Sequence, residues 1–374
     1  MKRFGVVLVA AVGVASFALG GCAVDPGDAS VDESDAQGEA EQLGSTAEAL
    51  SNPIIPPEVL YALTHPGSVT QADLDLVRHA EHRVNIGGGK KIAMTETYTL
   101  RSWLRFPHRA MLMITAQGSN RAVYNAPFEG YDGGAILASD GFFAFSADPQ
   151  GTSDSSQPAD GLTVTYDSET QDFLKALDYI RLTRLVPKVD VLGEEIGGGV
   201  AMQLAADNSR VRSCVAASMI YKTGSDFFNA VFNSPEFKGF LFGSPDGYFQ
   251  TFPGAYFNVV AGASPEVANW FINTQVGRYA AGTYKEDYER LFEGGDSYDP
   301  THARVPGLLI RGELDPNNSI DDVVALANAY GSAVHHHGPG PAEVAVIERG
   351  SHIVRIDAAP RGPQFWDLVL DFVD

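Results

Sequence analysis

Six short apolar runs recur along the chain, at residues 110–115 (AMLMIT), 142–146 (FFAFS), 189–192 (VDVL), 211–218 (VRSCVAAS), 307–311 (GLLIR) and 343–347 (EVAVI). An apolar run of four to eight residues suits a strand buried on both faces, because neither face then meets water. Stretches of helical length separate the runs. Phe173, Leu174, Leu177 and Ile180 fall on one helical face; Ser168 and Gln171 read as the capping box that opens this helix, which runs to about Leu182. Further helices are expected near 197–206, 319–330 and 364–372, and the Thr-rich alternation at 92–101 reads as an early strand. Strands alternating with helices of these lengths predict an α/β fold: a mostly parallel, twisted sheet with helices on both faces. A length of 374 residues suits one such domain, spanning 51–374, with an insertion.

The insertion announces itself at about 221–300, where the strand rhythm stops. This stretch holds 19 of the chain's 38 aromatic residues, among them Phe227, Phe228, Phe232, Phe240, Phe242, Phe252, Tyr256, Phe257 and Trp270. It reads as a helical cap over the carboxyl ends of the strands, its rings shared between its own core and a pocket beneath.

The first residues read as an export signal, residues 1–21. Lys2 and Arg3 precede sixteen apolar residues, 4–19, fewer than the roughly 20 that a membrane span needs. Leu19-Gly20-Gly21-Cys22 then resembles a bacterial lipobox, which makes Cys22 the expected lipidation site and the protein anchored rather than spanning. The alternative is a plain signal peptide with an incidental cysteine, giving a periplasmic or extracellular protein. Residues 22–50 are small, polar and acidic, with eight Asp and Glu and no Lys or Arg, and are read as a disordered tether. The other cysteine, Cys214, sits in an apolar strand and reads as a core residue, so no internal disulfide is expected if Cys22 carries lipid.

The formal net charge is −21 and no Lys/Arg cluster stands out, which argues against nucleic acid as a partner. No glycine-rich phosphate or dinucleotide loop is convincing, so no cofactor is implied. His335-His336-His337 lacks a carboxylate or cysteine at ligand spacing and reads as a surface loop, not a metal site. A small molecule is the expected partner.

Three positions carry the chemistry, each just past an expected strand. Gly193-Glu194-Glu195-Ile196-Gly197-Gly198 has the G-x-nucleophile-x-G form of a sharp strand–turn–helix elbow, with Glu195 in the nucleophile slot. Asp315 follows the strand ending at Arg311, and His352 follows the last strand. A lone Asp after a strand is usually a turn or cap residue; the ordered set of nucleophile, acid and histidine is what raises these three. Gln117-Gly118-Ser119 and the loop Asp148-Pro149-Gln150-Gly151-Thr152-Ser153 complete five marks in order.

With these marks the chain resembles the α/β-hydrolase family over roughly residues 90–374. The resemblance implies an α/β-hydrolase fold with a cap. It implies a triad of Glu195 in the nucleophile position, His352 as general base and Asp315 orienting it, and an oxyanion hole from the N–H groups of Ile196 and Ser119. The departures matter equally. Glu195 stands where the family usually has serine, Gln117 where it has histidine and Thr152 where it has glycine.

A carboxylate is ionised in water near neutrality and attacks saturated carbon without a base to unmask it. Family members with Asp at this position open epoxides or displace halide through a covalent ester. Attack on an ordinary ester would give an anhydride, a poorer path. Epoxide or halide chemistry is therefore expected over serine-type ester cleavage. Ile196 stands where dehalogenases often carry a halide-binding Trp, and Tyr221, Tyr248 and Tyr256 are candidates to polarise an epoxide oxygen. Three alternatives remain: an esterase-like hydrolase using Glu unconventionally, Glu195 as a general base or charge partner of an imidazolium, and a non-catalytic protein whose capped pocket binds an apolar ligand. Glu194 occupies the x position, which commonly points away from the nucleophile's path, and is left out of the core set.

Overall fold

An eight-stranded sheet forms the centre of the structure, a computed structural model that describes residues 55–374 except 116, 117, 223, 257, 258, 297 and 335–339. The expected signal peptide, Cys22, the acidic tether, Gln117 and His335-His336-His337 lie outside the described residues. The chain forms β1 (Arg78–Gly87), β2 (Lys90–Tyr98), β3 (Arg109–Ile114), β4 (Phe142–Ala147), β5 (Val189–Glu194), β6 (Val211–Ala217), β7 (Tyr248–Gln250), β8 (Arg278–Ala280), β9 (Gly307–Gly312) and β10 (Glu343–Ile347). The sheet order is β1-β2-β4-β3-β5-β6-β9-β10. Neighbours from β4 to β10 are parallel, while the hairpin β1–β2 joins β4 antiparallel.

Every residue of β3, β4, β5 and β9 is buried. Alternation along each strand divides the core into two layers. Leu112, Ile114, Phe143 and Phe145 pack with the helices Tyr166–Arg184 and Ile196–Leu204. Met111, Met113, Phe142 and Ala144 pack on the other side with Phe365, Trp366 and Val369 of the helix Arg361–Val373. Cys214 belongs to the first layer, 1% exposed, and burial pushes its thiol up to about 12, so it is an inert core residue.

Several boundaries differ from expectation for local reasons. The strand expected at 92–101 ends at Tyr98, because Thr99 and Ser102 form a capping box and Arg101 lies in the helix Leu100–Leu104. The long helix begins three residues early. Thr165 is its N-cap and Ser168 is the N3 partner: the Ser168 N–H donates to Thr165 Oγ1 (3.1 Å) and the Thr165 N–H to Ser168 Oγ (2.8 Å). The helix also runs on to Arg184 and ends at Leu185 in a left-handed conformation. The hairpin strand β1 and the helix Gly133–Ser139 were not foreseen.

Between β6 and β9 the chain forms the helices Asp226–Phe232, Pro235–Phe242, Pro265–Gln275 and Gly282–Tyr288. Ser225, Ser234 and Ser264 cap the first three through their hydroxyls, and Pro opens two of them, where no N–H is needed. No strand was expected here, yet β7 and β8 pair as a small antiparallel ribbon. The loop after β4 supports it: Thr152 bridges to Tyr279, and the Ala280 N–H donates to Gly151 O (3.2 Å). Gly151 has φ +72°, and a Cβ there would collide with Ala280, so this backbone approach requires glycine.

Consecutive strands leave β3 in opposite directions across the sheet, to β4 on one side and β5 on the other. Such a switch point opens a crevice at the carboxyl ends of the strands, between the loops after β3 and β5. Close packing there depends on Gly197, whose Cβ would stand 2.6 Å from Ile114 O and 2.8 Å from Thr115 O. Both obstacles are backbone, so Gly197→Ala should lower stability by about 1–3 kcal/mol in urea unfolding.

Candidate active site

The turn after β5 is held in a strained form. Glu195 has φ 49° and ψ −123°, a region that non-glycine residues rarely occupy. Two hydrogen bonds keep it there: the Glu195 N–H donates to Ala217 O (2.9 Å) and Glu195 O accepts from the Gly198 N–H (2.9 Å). Gly193 has no room for a side chain against the Gly197 carbonyl, and a Cβ on Gly198 would strike the Met219 sulfur. The pattern of small residues is thus the steric condition for turning a strand into a helix within one residue. The result lifts the Glu195 side chain, 25% exposed, off the end of the sheet.

His352 and Asp315 reach it from neighbouring loops. His352 Nδ1 lies 2.9 Å from both carboxylate oxygens of Asp315, and His352 Nε2 is hydrogen-bonded to Glu195 Oε1. Asp315 is held by the Asn317 N–H (2.8 Å) and by Asn318 Nδ2 (2.9 Å); Asn318 is gripped in turn by Arg311. The Ser351 N–H donates to Asp357 (2.6 Å), and Ser218 Oγ donates to His352 O, which fixes the histidine loop from both sides. The structure therefore brings Glu195, His352 and Asp315 into one hydrogen-bonded line. His352 is 1% exposed. Burial alone would favour the neutral imidazole, but the charges of Asp315 and Glu195 outweigh it and raise its pKa well above the usual value. The arrangement favours the imidazolium form of His352 between Glu195 and Asp315.

Above this line lies a cavity of about 520 Å³. Thr115, Gly118, Ser119, Glu194 and Glu195 contribute its floor; Phe227, Phe232, Phe240, Phe249, Phe252 and Phe271 are among its apolar walls. A space of this size and lining suits a mid-sized apolar molecule. Of the two expected oxyanion donors, Ser119 lines this cavity, while Ile196 opens the helix Ile196–Leu204 and lines a smaller chamber beside it. The first N–H groups of a helix have no partner within the helix, which leaves that of Ile196 available. The loop carrying Ser119 is tied to the cap, since Ser119 Oγ and the Asn120 N–H both donate to Gln275 Oε1 (2.9 and 2.6 Å).

The tyrosine expectation needs correction. Tyr221 lines a separate surface pocket, and the Tyr248 hydroxyl donates to Pro158 O (2.8 Å). Tyr256 lines the cavity, but its hydroxyl is hydrogen-bonded to the carbonyls of Gly118 and Gln275 (2.7 Å each). Tyr284, not singled out from the sequence, lines both the cavity and the smaller chamber. Burial and then the Glu195 charge raise its pKa well above that of a free phenol, so it is a neutral donor.

Glu194 was also passed over. It is buried, pairs with Arg355 Nε (2.6 Å) and lines the cavity; Arg355 Nη1 further donates to Val123 O (2.9 Å). Asp148 opens the loop after β4 and accepts from the Arg121 backbone (2.6 Å) and guanidinium. Burial pushes its carboxyl up to about 6 despite that arginine. It braces the loop rather than the cavity. Among the described residues no group of three or more His, Cys, Asp or Glu could hold a metal ion.

The family model for the alpha/beta hydrolase fold matches residues 130–316, half of the chain, and the chain belongs to that family, a class of hydrolases. No curated protein matches it significantly. Among solved structures it is similar to an E-2-(acetamidomethylene)succinate hydrolase: 16% identity, TM-score 0.55, covering 79% of this chain and 100% of that one. It is also similar to the enol-lactonase from Burkholderia xenovorans LB400, with 18% identity, TM-score 0.52 and coverage of 77% and 98%. A bacterial membrane phospholipase A has 14% identity and TM-score 0.54, with coverage of 91% and 99%. At these identities the likeness is one of fold.

Replacing Glu195 by Gln removes one of the two charges that hold the His352 proton. His352 should then deprotonate at lower pH, read from its ¹⁵N chemical shifts. The stability that His352 gains by being charged is complete below pH about 6.5 and lost as pH rises through its raised folded-state pKa. Unfolding midpoints should show that loss at lower pH in Glu195→Gln than in the wild type.

Proposed function

We propose that the protein hydrolyses epoxides of mid-sized apolar molecules, with Glu195 as nucleophile, His352 as acid and then base, and Asp315 orienting His352. The observation that carries this reading is the line Glu195–His352–Asp315, of which Glu195 lines a largely apolar cavity. A Glu195 oxygen attacks a ring carbon, the carbon–oxygen bond breaks, and the ring oxygen leaves as an alkoxide. Alkylation discharges Glu195, so His352 loses one of the charges holding its proton and passes that proton to the alkoxide. Neutral His352 next takes a proton from water, and the hydroxide adds to the Glu195 ester carbon. The N–H groups of Ile196 and Ser119 stabilise the oxyanion. Collapse expels the second product oxygen, which takes the proton of the newly formed Glu195 acid. The diol leaves, Glu195 is again a carboxylate and His352 again an imidazolium.

Proton balance favours epoxides over halides. A departing halide takes no proton, so the charged His352 would have to discharge to solvent before it could act as a base. The Ile196 side chain supplies no N–H for a halide either. Tyr284, a phenol on the cavity wall, is our candidate to steady the ring oxygen.

The test compares wild type, Glu195→Gln and Glu195→Ser on epoxide, haloalkane and aryl-ester panels, with mass spectrometry for a covalent adduct. Epoxide turnover in the wild type should fall by at least about a hundredfold in Glu195→Gln. Equal turnover in all three variants overturns the assignment. Ligand-induced thermal stabilisation without turnover supports a binding protein instead.

We also propose that the chain is exported and lipidated at Cys22, the tether holding the domain off the membrane. Labelled palmitate should be incorporated by the wild type and not by Cys22→Ser, which should move to the soluble fraction. Equal labelling of both proteins refutes the assignment.

A further inference from the structure

Glu194 and Arg355 both line the 520 Å³ cavity, and both are buried, at 3% and 2% exposure. Their ion pair is incomplete. An arginine that grips a carboxylate side-on uses Nε and Nη2 together. Arg184 holds the buried Glu96 in that way, through both nitrogens. Arg355 reaches Glu194 Oε2 through Nε alone (2.6 Å). Its Nη1 donates to Val123 O (2.9 Å), and the guanidinium sits over the Tyr124 ring, 4.8 Å from the centroid. These contacts pin the guanidinium against turning to close the second bond. Among the described residues, Glu194 Oε1 and Arg355 Nη2 have no hydrogen-bond partner. Nη2 shares a guanidinium edge with Nε, and Oε1 shares a carboxylate with Oε2, so a donor and an acceptor are left close together. A buried polar atom without a partner is costly, and a bound group that supplies one recovers the cost.

We propose that Glu194 and Arg355 form a polar subsite of the substrate cavity that reads a neutral hydroxyl, which donates to Glu194 Oε1 and accepts from Arg355 Nη2. This rests on the epoxide reading of the preceding subsection and narrows its substrates to epoxides that carry a hydroxyl close to the ring. Charge selects the group. Glu194, Glu195 and Glu236 line the cavity, and Arg355 is the one basic residue among its described lining. A carboxylate or phosphate on the substrate is therefore repelled. An ammonium suits Glu194 but meets the N–H groups of Arg355. A hydroxyl both donates and accepts, so it satisfies both protein atoms. Sequence sets its place: Glu194 and Glu195 are consecutive, with Cα atoms about 3.8 Å apart. The hydroxyl and the attacked carbon are thus a few atoms from each other, and the phenylalanine walls take the rest of the molecule. An analogue without the hydroxyl leaves both protein atoms unpaired, which is the condition for strong selection.

Two pairs of compounds that differ only in the hydroxyl provide the test. The reactive pair is 3-phenylglycidol and β-methylstyrene oxide; the unreactive pair is cinnamyl alcohol and β-methylstyrene. Wild type should turn over 3-phenylglycidol with kcat/KM at least about tenfold above that for β-methylstyrene oxide, and in NMR titration should bind cinnamyl alcohol about tenfold more tightly than β-methylstyrene. Glu194→Gln keeps the shape, but Arg355 Nε claims its carbonyl oxygen, so an amide N–H replaces the free acceptor. Both ratios should then fall to within about threefold. The ratios are the readout because a loosened elbow slows both epoxides alike and leaves their ratio unmoved. No hydroxyl preference in the wild type, or the same preference in Glu194→Gln, overturns the inference. If the variant does not fold, the wild-type ratios decide: preference supports the subsite and equality overturns it. The unreactive pair tells the two failures apart. If neither epoxide is turned over while cinnamyl alcohol binds more tightly and loses that advantage in Glu194→Gln, the hydrolysis reading fails and the subsite stands. If both epoxides are turned over equally well, the hydrolysis reading stands and the subsite fails.

Discussion

A single imidazole held between two carboxylates organises the top of this molecule. His352 is buried, and a buried cation is costly unless opposing charges surround it. Asp315 and Glu195 supply those charges from the ends of β9 and β5, and the histidine itself follows β10. Each of the three loops is braced by its own hydrogen bonds: Asn317 and Asn318 on Asp315, Asp357 on Ser351, Ala217 on Glu195. The parallel sheet sets the strand ends side by side, and the braces convert that adjacency into hydrogen-bond distance.

A second ionic bridge runs beside the first. Glu194 precedes Glu195 and Arg355 follows His352 by three residues, so the pair Glu194–Arg355 ties together the same two segments as Glu195–His352. A buried ion pair adds little net stability, because desolvation of both charges offsets their attraction; breaking it, however, strands a charge. Burial raises the Glu194 pKa and Arg355 opposes that rise. The function consistent with this balance is registration: the bridge resists any slip of the elbow against the histidine loop.

The parts legible in the sequence were those that depend on local pattern. Continuous apolar runs marked β3, β4, β5, β6 and β9, because a strand buried on both faces is largely apolar, whereas β10, marked by the same signal, is the edge strand and exposes Val344 and Val346. The spacing of Gly193, Gly197 and Gly198 marked the elbow for an equally local, steric reason. The hairpin strand β1 was illegible, since its His79, Glu81 and Arg83 give it the look of a polar surface segment. Ser168 was mistaken for an N-cap because a capping box has a hydroxyl at both ends here. The cap residues were hardest. Tyr284 and Gln275 matter through contacts with Gly118, Ser119 and Asn120, more than 150 residues away, and no short-range signal distinguishes them from other cap residues. Arg355, 161 positions from Glu194, was hidden for the same reason.

The substitution at the elbow changes what the histidine is for. A serine there is neutral until a base takes its proton, so its histidine must begin the cycle uncharged. A glutamate needs no base to unmask it, and its charge here favours a proton on the imidazole, so the proposed reaction starts with the proton on His352. In the proposed epoxide reaction that inverts the order of work: the first step needs an acid, and the base appears once the nucleophile has been consumed. The oxyanion donors shift with it. In that proposed reaction, attack at saturated carbon creates no tetrahedral oxyanion, so Ile196 and Ser119 would have nothing to stabilise until water adds to the Glu195 ester. One elbow, one histidine and one pair of N–H groups, retained in place, thus suit a different sequence of proton transfers once a carboxylate replaces the hydroxyl.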